Sequence, residues 1–268
     1  MNGLVSGKEV RLSRITKNGR MLCIPMDHSL TVGPIPGLED IEQTIIQVAK
    51  GGATSFLVQK GIIKSLRRPV PIGMIMQLSA STSLGMAPNR KVLISSVDEG
   101  VRLGVDAVSV HVNIGGREEP EMLQQLGTVG DACDDYQIPF IAMMYPRGEN
   151  IKDPPDPDVV AHVARIGAEG GADIVKTVYT GSAETFREVV RKCPVPVVLA
   201  GGPKADSDLE LLKMTSDVMK AGAIGVAYGR NVFQHSNPGQ IVGALKKVVI
   251  DKGTVEEAME VFKPDVLQ

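Results

Sequence analysis

The feature that most constrains the fold of this chain is a series of eight short apolar runs separated by longer amphipathic segments. The runs begin at or near Met21, Ser55, Ile72, Ala107, Phe140, Asp173, Pro196 and Gly225. The segments between them include helix-like stretches over 39–50, 156–169, 184–192 and 208–221. Strands that alternate with helices predict parallel βα units, and eight units in about 250 residues match the size of a (β/α)₈ TIM barrel.

A weak internal repeat supports the barrel. The segments 50–53, 103–107, 169–173 and 221–225 each place a glycine just before an even-numbered predicted strand. Glycine there ends a helix in the left-handed conformation and turns the chain into the next strand. We therefore predict a single α/β barrel domain over residues 1–268, with a short N-terminal extension and a C-terminal helix over 254–262. A doubly wound open sheet is the alternative, but no G-x-G-x-x-G motif follows the first strand.

Charge and composition narrow the classes of function. The 268 residues carry a net charge of −2 without a basic block, which argues against a nucleic-acid partner. No run approaches the roughly 20 apolar residues that span a bilayer, and the first residues lack a secretory pattern. Cys23, Cys133 and Cys193 are an odd number of scattered cysteines, which indicates reduced thiols in a cytoplasmic protein.

The predicted sixth strand contains Lys176 in the middle of the apolar run DIVKTVY. An unpartnered ammonium is costly in such a run, whereas a lysine that gives up its proton can attack a carbonyl carbon. The apolar neighbours Ile174 and Val178 and the cations Lys204 and Arg230 are expected to favour the neutral amine. Lys176 is therefore the predicted Schiff-base nucleophile, and an ion-pair partner at a strand end is the alternative.

Barrels of this type carry their chemistry at the C-terminal ends of the strands. The polar side chains at the ends of the first, fourth and fifth strands are Asp27, His28, His111, Asn113, Tyr145 and Arg147. Asp27 and Tyr145 are the ionisable groups best suited to transfer protons during imine chemistry. A loop-capping carboxylate and a rim aromatic are the alternatives for these two. His28 and His111 contact substrate or make structural hydrogen bonds, and Arg147 orders the loop after Tyr145.

Two glycine-rich turns follow the seventh and eighth predicted strands. The first contains Gly201, Gly202 and Lys204, and the second contains Gly229 and Arg230. Barrel enzymes frequently bind phosphate in these two positions, where exposed backbone N–H groups approach the anion. These turns are the predicted phosphate site, and two ordinary βα turns are the alternative.

The segments PMDHSLTVGP, VSVHVNIG, IAMMYPRG, DIVKTVYTG, VVLAGGPK and GVAYGRNVFQH occur in this order. They resemble the archaeal-type class I fructose-bisphosphate aldolase family over nearly the whole chain. The resemblance implies that Lys176 forms the imine, that Tyr145 donates and accepts protons, and that Asp27 assists imine formation. It also implies a sugar phosphate at the two glycine turns and a homo-oligomeric ring, commonly a decamer. No cofactor or metal is expected, because the imine is the electron sink.

The substrates are less constrained by the residues. The segments 27–33 and 111–115 look more like the heptulosonate synthase branch of this family, which leads to aromatic amino acids. That branch joins an enamine from a ketose phosphate to L-aspartate semialdehyde. Met143 stands where fructose-bisphosphate aldolases of the family often have tryptophan. The alternatives are a class I fructose-1,6-bisphosphate aldolase and an aldolase of secondary metabolism that joins dihydroxyacetone phosphate to the same semialdehyde.

Two rival classes of protein fit the residues less well. A metal-dependent aldolase would polarise the carbonyl with zinc, but the chain has only four histidines, none in close ligand pairs, and Lys176 would have no role. A non-catalytic phosphosugar-binding protein would keep the glycine turns but has no need of Lys176, Tyr145 and Asp27 together.

Overall fold

Eight parallel strands close into a barrel. The structure, a computed structural model, describes residues 5–262. Its strands are β1 (Met21–Pro25), β2 (Ser55–Gln59), β3 (Gly73–Gln77), β4 (Ser79–Ala80), β5 (Val92–Leu93), β6 (Ala107–Ile114), β7 (Phe140–Pro146), β8 (Ile174–Thr177), β9 (Val197–Ala200) and β10 (Gly225–Ala227). The order around the barrel is β1, β10, β9, β8, β7, β6, β3, β2, and all neighbours are parallel. The predicted (β/α)₈ fold is confirmed.

Helices form the outer layer. They are α1 (Gly7–Ile15), α2 (His28–Val32), α3 (Ile41–Gly51), α4 (Lys60–Ser65), α5 (Val97–Arg102), α6 (Glu119–Asp135), α7 (Pro157–Glu169), α8 (Ala183–Lys192), α9 (Asp208–Lys220), α10 (Arg230–Phe233), α11 (Pro238–Val249), α12 (Val255–Met259) and a 3₁₀ turn over Glu260–Phe262. The predicted glycine turns before the even-numbered barrel strands are confirmed by positive φ angles at Gly52, Gly104, Gly171 and Gly222. None of the helices in residues 5–262 is long and apolar enough to cross a membrane.

Side chains alternate along each strand between the barrel interior and the helices, as the two-residue period of a strand requires. On β6, Val108, Val110 and Val112 pack in the outer core between barrel and helices. The inner core contains Met21, Cys23, Leu57, Ile75, Ala107, Ile141, Met143, Ile174, Val198 and Ala227. Because the apolar residues of β6 face outward, its polar residues face the interior, as the sequence predicts.

The helix α1 closes the N-terminal end of the barrel. Ile15 at its end is fully buried and packs in the inner core with Leu12. Gly73 begins β3 directly against this helix, since a Cβ atom there would lie 2.6 Å from the carbonyl oxygen of Arg14. Lys8 of α1 also bonds to Asp173, the residue before β8, at 2.9 Å. The predicted N-terminal extension is thus a helix that fills one end of the barrel.

The sequence did not predict the antiparallel hairpin of β4 and β5, which follows β3. Ser79 pairs with Leu93 in this hairpin, and the Ser79 hydroxyl accepts a hydrogen bond of 2.8 Å from the backbone N–H of His111. The Asn113 side chain donates to the carbonyl of Asn89 at 2.7 Å. These bonds fix the hairpin loop against the C-terminal end of β6.

Candidate active site

A cavity of about 320 Å³ opens at the C-terminal ends of the barrel strands, the end at which barrel enzymes carry out their chemistry. Ten of the eleven predicted site residues line it: Asp27, His28, His111, Tyr145, Arg147, Lys176, Gly201, Gly202, Gly229 and Arg230. The predicted strand ends therefore meet in one place, while the role of each residue stays a prediction.

Lys176 lies on the inner face of β8, between the cavity and the apolar interior. The residue is only 7% exposed. It is in register with Met143 of β7 and Val198 of β9, and its Nζ lies 3.4 Å from the Met143 sulfur. Among the salt bridges of residues 5–262, none involves Lys176. A buried lysine that faces the cavity without an ion-pair partner is available to a substrate.

The pKa of Lys176 shifts in the direction opposite to the one expected. Burial lowers the pKa of Lys176, but the facing side chains of Tyr145, Asp27 and Cys23 raise it by more, so the pKa lies above its ordinary value. This direction is opposite to the one expected from the cations and apolar neighbours, because that expectation left out the acidic groups that face the lysine. A group next to Lys176 therefore has to take a proton from it before the amine attacks a carbonyl.

Tyr145 lies two residues beyond Met143 on the same face of β7, so its phenol is next to the cavity above Lys176. Its ring lies 4.7 Å from the ring of His111, centroid to centroid. The guanidinium carbon of Arg147 lies 5.6 Å from the centroid of the Tyr145 ring. These two contacts restrict the orientation of the phenol, which is what a group that transfers protons at a defined atom needs.

Asp27 and His28 follow β1, and α2 begins at His28. The Asp27 carboxylate lies 3.6 Å from Nδ1 of His28, and this buried nitrogen has no hydrogen-bond partner among the described residues. The imidazole packs edge-on against Phe233 at 5.1 Å. Burial lowers the pKa of His28, against the opposing effect of Asp27. We therefore expect a neutral imidazole beside a partly exposed carboxylate.

The two glycine turns form the wall of the cavity that follows β9 and β10. Arg230 connects them, because its guanidinium donates a hydrogen bond of 2.9 Å to the carbonyl of Gly202. Gly202 has a φ of +61°, the left-handed region that favours glycine. Gly229 is required for another reason: a Cβ atom there would lie 2.5 Å from Cε1 of His28. Small residues thus leave backbone atoms accessible at this wall, in the position expected for a phosphate.

Asn231 supports the first glycine turn and was missed in the sequence. Its side-chain amide donates to the carbonyls of Gly201 and Pro203 at 3.2 and 3.1 Å, and its oxygen accepts from the N–H of Ala205 at 2.7 Å. Its position directly after Arg230 was the only available signal. Lys204, by contrast, is exposed and lines a separate surface depression rather than the cavity.

The opposite wall contains His111 and a residue that the sequence analysis also missed, Lys91. The His111 ring bonds to the side-chain oxygen of Asn113 at 2.8 Å. Burial, followed by the charge of Lys91, holds the pKa of His111 well below its ordinary value. Lys91 ends the hairpin loop, where flanking polar residues suggest a solvated segment. Only the pairing of β4 with β5 reveals that its side chain is directed into the cavity.

The cavity is strongly basic. Its lining has four basic side chains, Lys91, Arg147, Lys176 and Arg230, and a single carboxylate, Asp27. Such an excess of positive charge in a concave site attracts anions and raises their local concentration. Within residues 5–262, no three histidine, cysteine or acidic side chains are grouped as metal ligands. The geometry thus combines a buried nucleophile, two proton-transfer groups and a site for anionic substrates.

Known proteins with related sequences span almost the whole chain. It is 44% identical over 256 residues to 2-amino-3,7-dideoxy-D-threo-hept-6-ulosonate synthase 1 of Archaeoglobus fulgidus, covering 95% of both chains. It is 39% identical over 254 residues to 2-amino-4,5-dihydroxy-6-oxo-7-(phosphonooxy)heptanoate synthase of Streptomyces griseus, covering 92% of both chains.

A solved structure is also similar to this chain over almost its whole length. An archaeal fructose-1,6-bisphosphate aldolase, with its catalytic lysine covalently bound to the carbinolamine intermediate, is 29% identical with a TM-score of 0.85. The match covers 91% of this chain and 99% of that one. The predicted resemblance to class I aldolases and the predicted enzyme class are thereby confirmed. Residues 21–235 match the family described as DeoC/LacD family aldolase, and the chain belongs to that family.

Proposed function

We propose that this aldolase uses Lys176 as its imine-forming residue to join a fragment of a phosphorylated ketose to L-aspartate semialdehyde. The observation that carries the proposal is the buried Lys176, which faces Asp27 and Tyr145 in a cavity with an excess of basic residues. A nucleophile, two proton-transfer groups and anion-binding walls are the parts that this chemistry requires.

The first steps make the electron sink. The Lys176 ammonium gives its proton to the Asp27 carboxylate, and the free amine attacks the ketone carbon of the donor. A C–N bond forms, the ketone oxygen takes a proton from Tyr145, and this carbinolamine loses water to give a protonated imine. The C–C bond one carbon beyond the imine carbon then breaks: its electron pair forms an enamine, and the other fragment leaves as an aldehyde when its hydroxyl gives up a proton. Tyr145, whose orientation is restricted by His111 and Arg147, is the proposed proton acceptor in that step.

The second half of the reaction forms the new bond. The enamine carbon attacks the aldehyde carbon of the acceptor, and the resulting oxyanion takes a proton from Tyr145. Water then hydrolyses the imine, which releases the product and returns Lys176. The donor phosphate is proposed to bind at the Gly202 and Gly229 turns beside Arg230. His28, Gly201 and Asn231 maintain the shape of that wall through the contacts described above.

The names of the two sequence relatives support L-aspartate semialdehyde as the acceptor. Both are named for seven-carbon 2-amino acids with a carbonyl at C6. An aldol bond forms between the carbon next to the ketone, here C5, and the former aldehyde carbon, C4. Disconnection of that bond leaves 2-amino-4-oxobutanoate, which is aspartate semialdehyde. The polar pair of His111 and Asn113 supports this acceptor too, because it offers hydrogen bonds to an amino-acid head group.

Fructose-1,6-bisphosphate cleavage is the second candidate. Two observations favour it: the fructose-bisphosphate aldolase among the structural relatives, and the presence of Lys91 and Arg147 on the wall away from the glycine turns. Two basic side chains there suit a second phosphate as well as a carboxylate. Met143 argues against it, since the family's fructose-bisphosphate aldolases often have tryptophan at this position.

A competition experiment distinguishes the two candidate functions. Purified enzyme is given dihydroxyacetone phosphate with equal concentrations of L-aspartate semialdehyde and glyceraldehyde 3-phosphate, and the products are resolved by mass. We expect the amino-ketose product to dominate; faster formation of fructose 1,6-bisphosphate would refute the proposed acceptor. A parallel incubation with dihydroxyacetone phosphate and borohydride should add the reduced substrate to the Lys176 peptide. A label on Lys91, the other lysine of the cavity, would refute the assigned nucleophile.

We also propose a cytoplasmic homo-oligomer, with the decamer as the expected ring. The three cysteines are buried and free, as in proteins of a reducing compartment. Leu84 and Met86 on the hairpin loop are almost fully exposed, which supports a surface that contacts another copy. Light scattering after size-exclusion chromatography measures the mass directly, and a monomer would contradict the proposal.

A further inference from the structure

Lys91 is the most unusual residue that the proposed chemistry leaves without a role. It is 6% exposed, and its ammonium donates hydrogen bonds to the hydroxyl of Ser81 and, at 3.2 Å, to the carbonyl of Pro88. Both acceptors are neutral. Among residues 5–262, no carboxylate forms a salt bridge with Lys91. A buried ammonium without a direct salt-bridge partner is costly, so such a group normally has an anion in contact with it.

The position of Lys91 indicates what that partner is. The hairpin that carries it follows β3, and in the barrel order β3 is four strands from β9, which is half of the circumference. Lys91 therefore lies across the barrel mouth from the glycine turn of β9. Lys176 of β8 lies between these two walls, at the bottom of the cavity. A substrate with its donor phosphate at the glycine turns extends past Lys176 toward Lys91.

The surroundings of Lys91 suit a carboxylate. Arg147 repels the Lys91 ammonium across the same cavity and Asp27 attracts it from a distance, while His111 also lies within its field. Asn113, which bonds to the His111 ring, also holds the hairpin through Asn89 at 2.7 Å. This wall thus has two cations and neutral hydrogen-bonding groups, a combination that binds an anion carrying further polar substituents.

We infer that Lys91 binds the carboxylate of the acceptor aldehyde and selects acceptors that have a carboxylate at the end opposite the aldehyde. The inference rests on the proposed function and assigns its acceptor specificity to one residue. The bound acceptor brings a carboxylate into direct contact with the ammonium, which Asp27 faces only from a distance, and the hairpin holds the ammonium in place before the acceptor binds. A purely structural role is the alternative, in which Lys91 only ties the hairpin loop together through Ser81 and Pro88.

The test compares variants with two acceptors. Lys91→Met removes the charge with little change in length, and Lys91→Gln keeps a donor for Ser81 and Pro88. For L-aspartate semialdehyde, we expect KM to rise by about 10- to 100-fold in both variants, the usual scale of a lost charged hydrogen bond. For an uncharged acceptor, glyceraldehyde, KM should stay within about twofold of wild type. Borohydride trapping of dihydroxyacetone phosphate on Lys176 should be unaffected, since the donor site is intact.

Ser81→Ala is the matched control for the structural role. It removes the hydroxyl that binds Lys91 and leaves the charge in place, so the KM for L-aspartate semialdehyde should not change. If Ser81→Ala raises this KM as much as Lys91→Met does, the hairpin tie explains the effect and the inference is wrong. Equal losses with charged and uncharged acceptors in Lys91→Met would overturn it in the same way.

A substrate change tests the inference without any variant. Wild-type enzyme is assayed with the primary amide of L-aspartate semialdehyde, which lacks the carboxylate charge. We expect the same rise in KM as in Lys91→Met, and no further rise when variant and amide are combined. Equal use of amide and acid by the wild type would overturn the inference even if the variants failed to fold. A wild type that does not use L-aspartate semialdehyde at all would instead refute the proposed function.

Discussion

The contact between Gly229 and His28 allows a sharp test of the phosphate wall. In Gly229→Ala, the new methyl carbon would lie 2.5 Å from Cε1 and 3.0 Å from Nε2 of His28. Nonbonded carbon atoms prefer separations of about 3.5–4.0 Å, so the imidazole has to retreat by about 1 Å. The φ of Gly229 is −89°, outside the left-handed region that favours glycine, so the substitution tests mainly the space beside His28.

Both stability and catalysis should respond. Overpacking of this kind costs about 1–3 kcal/mol of the free energy of unfolding. A displacement of about 1 Å beside Asp27 and the glycine turns is expected to lower kcat/KM by about 10²-fold. The assays are urea denaturation and steady-state kinetics with the substrates identified by the competition experiment.

Two further variants make the test specific. Gly61 in α4 has nothing within 4 Å of an added Cβ, so Gly61→Ala should leave activity unchanged and add up to about 1 kcal/mol of stability. Removal of the ring in His28→Ala should recover part of the stability that Gly229→Ala loses, with a coupling of about 0.5–3 kcal/mol between the two sites, while the contact of 3.0 Å with the carbonyl oxygen of Pro25 remains. Normal activity and stability in Gly229→Ala would refute the packing of His28 against this turn.

Three more outcomes are expected. Tyr145→Phe should reduce turnover by about 10²–10⁴-fold while borohydride labelling of Lys176 largely survives, and near-normal turnover would exclude Tyr145 as the proton carrier. EDTA should leave activity unchanged, because the imine is the electron sink; loss of turnover that zinc restores would favour a metal-dependent reaction. His111, which faces Lys91, Arg147 and Lys176, has a lowered pKa and is neutral when folded, whereas the unfolded chain binds a proton there below about pH 6.5. Stability should therefore fall as pH drops below this value, by up to about 1.4 kcal/mol per pH unit from this residue. Urea denaturation at several pH values measures this dependence. In His111→Gln, the free energy of unfolding should change less with pH over the same range, and an unchanged pH dependence would contradict a neutral His111.

The barrel was predictable because its strands and helices are encoded locally. The alternation of Val108, Val110 and Val112 with polar residues fixes which face of β6 is inside, and the register then follows from closure of the barrel. The same rule located Lys176 and Tyr145, since residues at C-terminal strand ends converge on one mouth. Their chemistry was suggested by residue type, namely a lysine in an apolar run and a phenol on the neighbouring strand.

The features that were missed depend on contacts between distant segments. Lys91 follows a polar loop, and only the hairpin, held by Ser79 and Asn113, buries its side chain. The raised pKa of Lys176 has the same origin, because Asp27 lies about 150 positions away in the chain. Lys204 shows the opposite error. A lysine next to a glycine turn was expected at the phosphate, but the turn directs it to the outside of the barrel.

The helix α1, which closes the N-terminal end of the barrel, has a consequence for the order of events in catalysis. Since Ile15 fills the far end of the barrel, the described chain leaves the cavity open to solvent at the mouth alone. If a donor fragment stays attached to Lys176, the first aldehyde released has to leave through the same opening by which the acceptor comes in. The two aldehydes then compete for one passage and one binding wall. Initial-rate plots should accordingly show parallel lines, as in double-displacement kinetics, with each aldehyde inhibiting the use of the other.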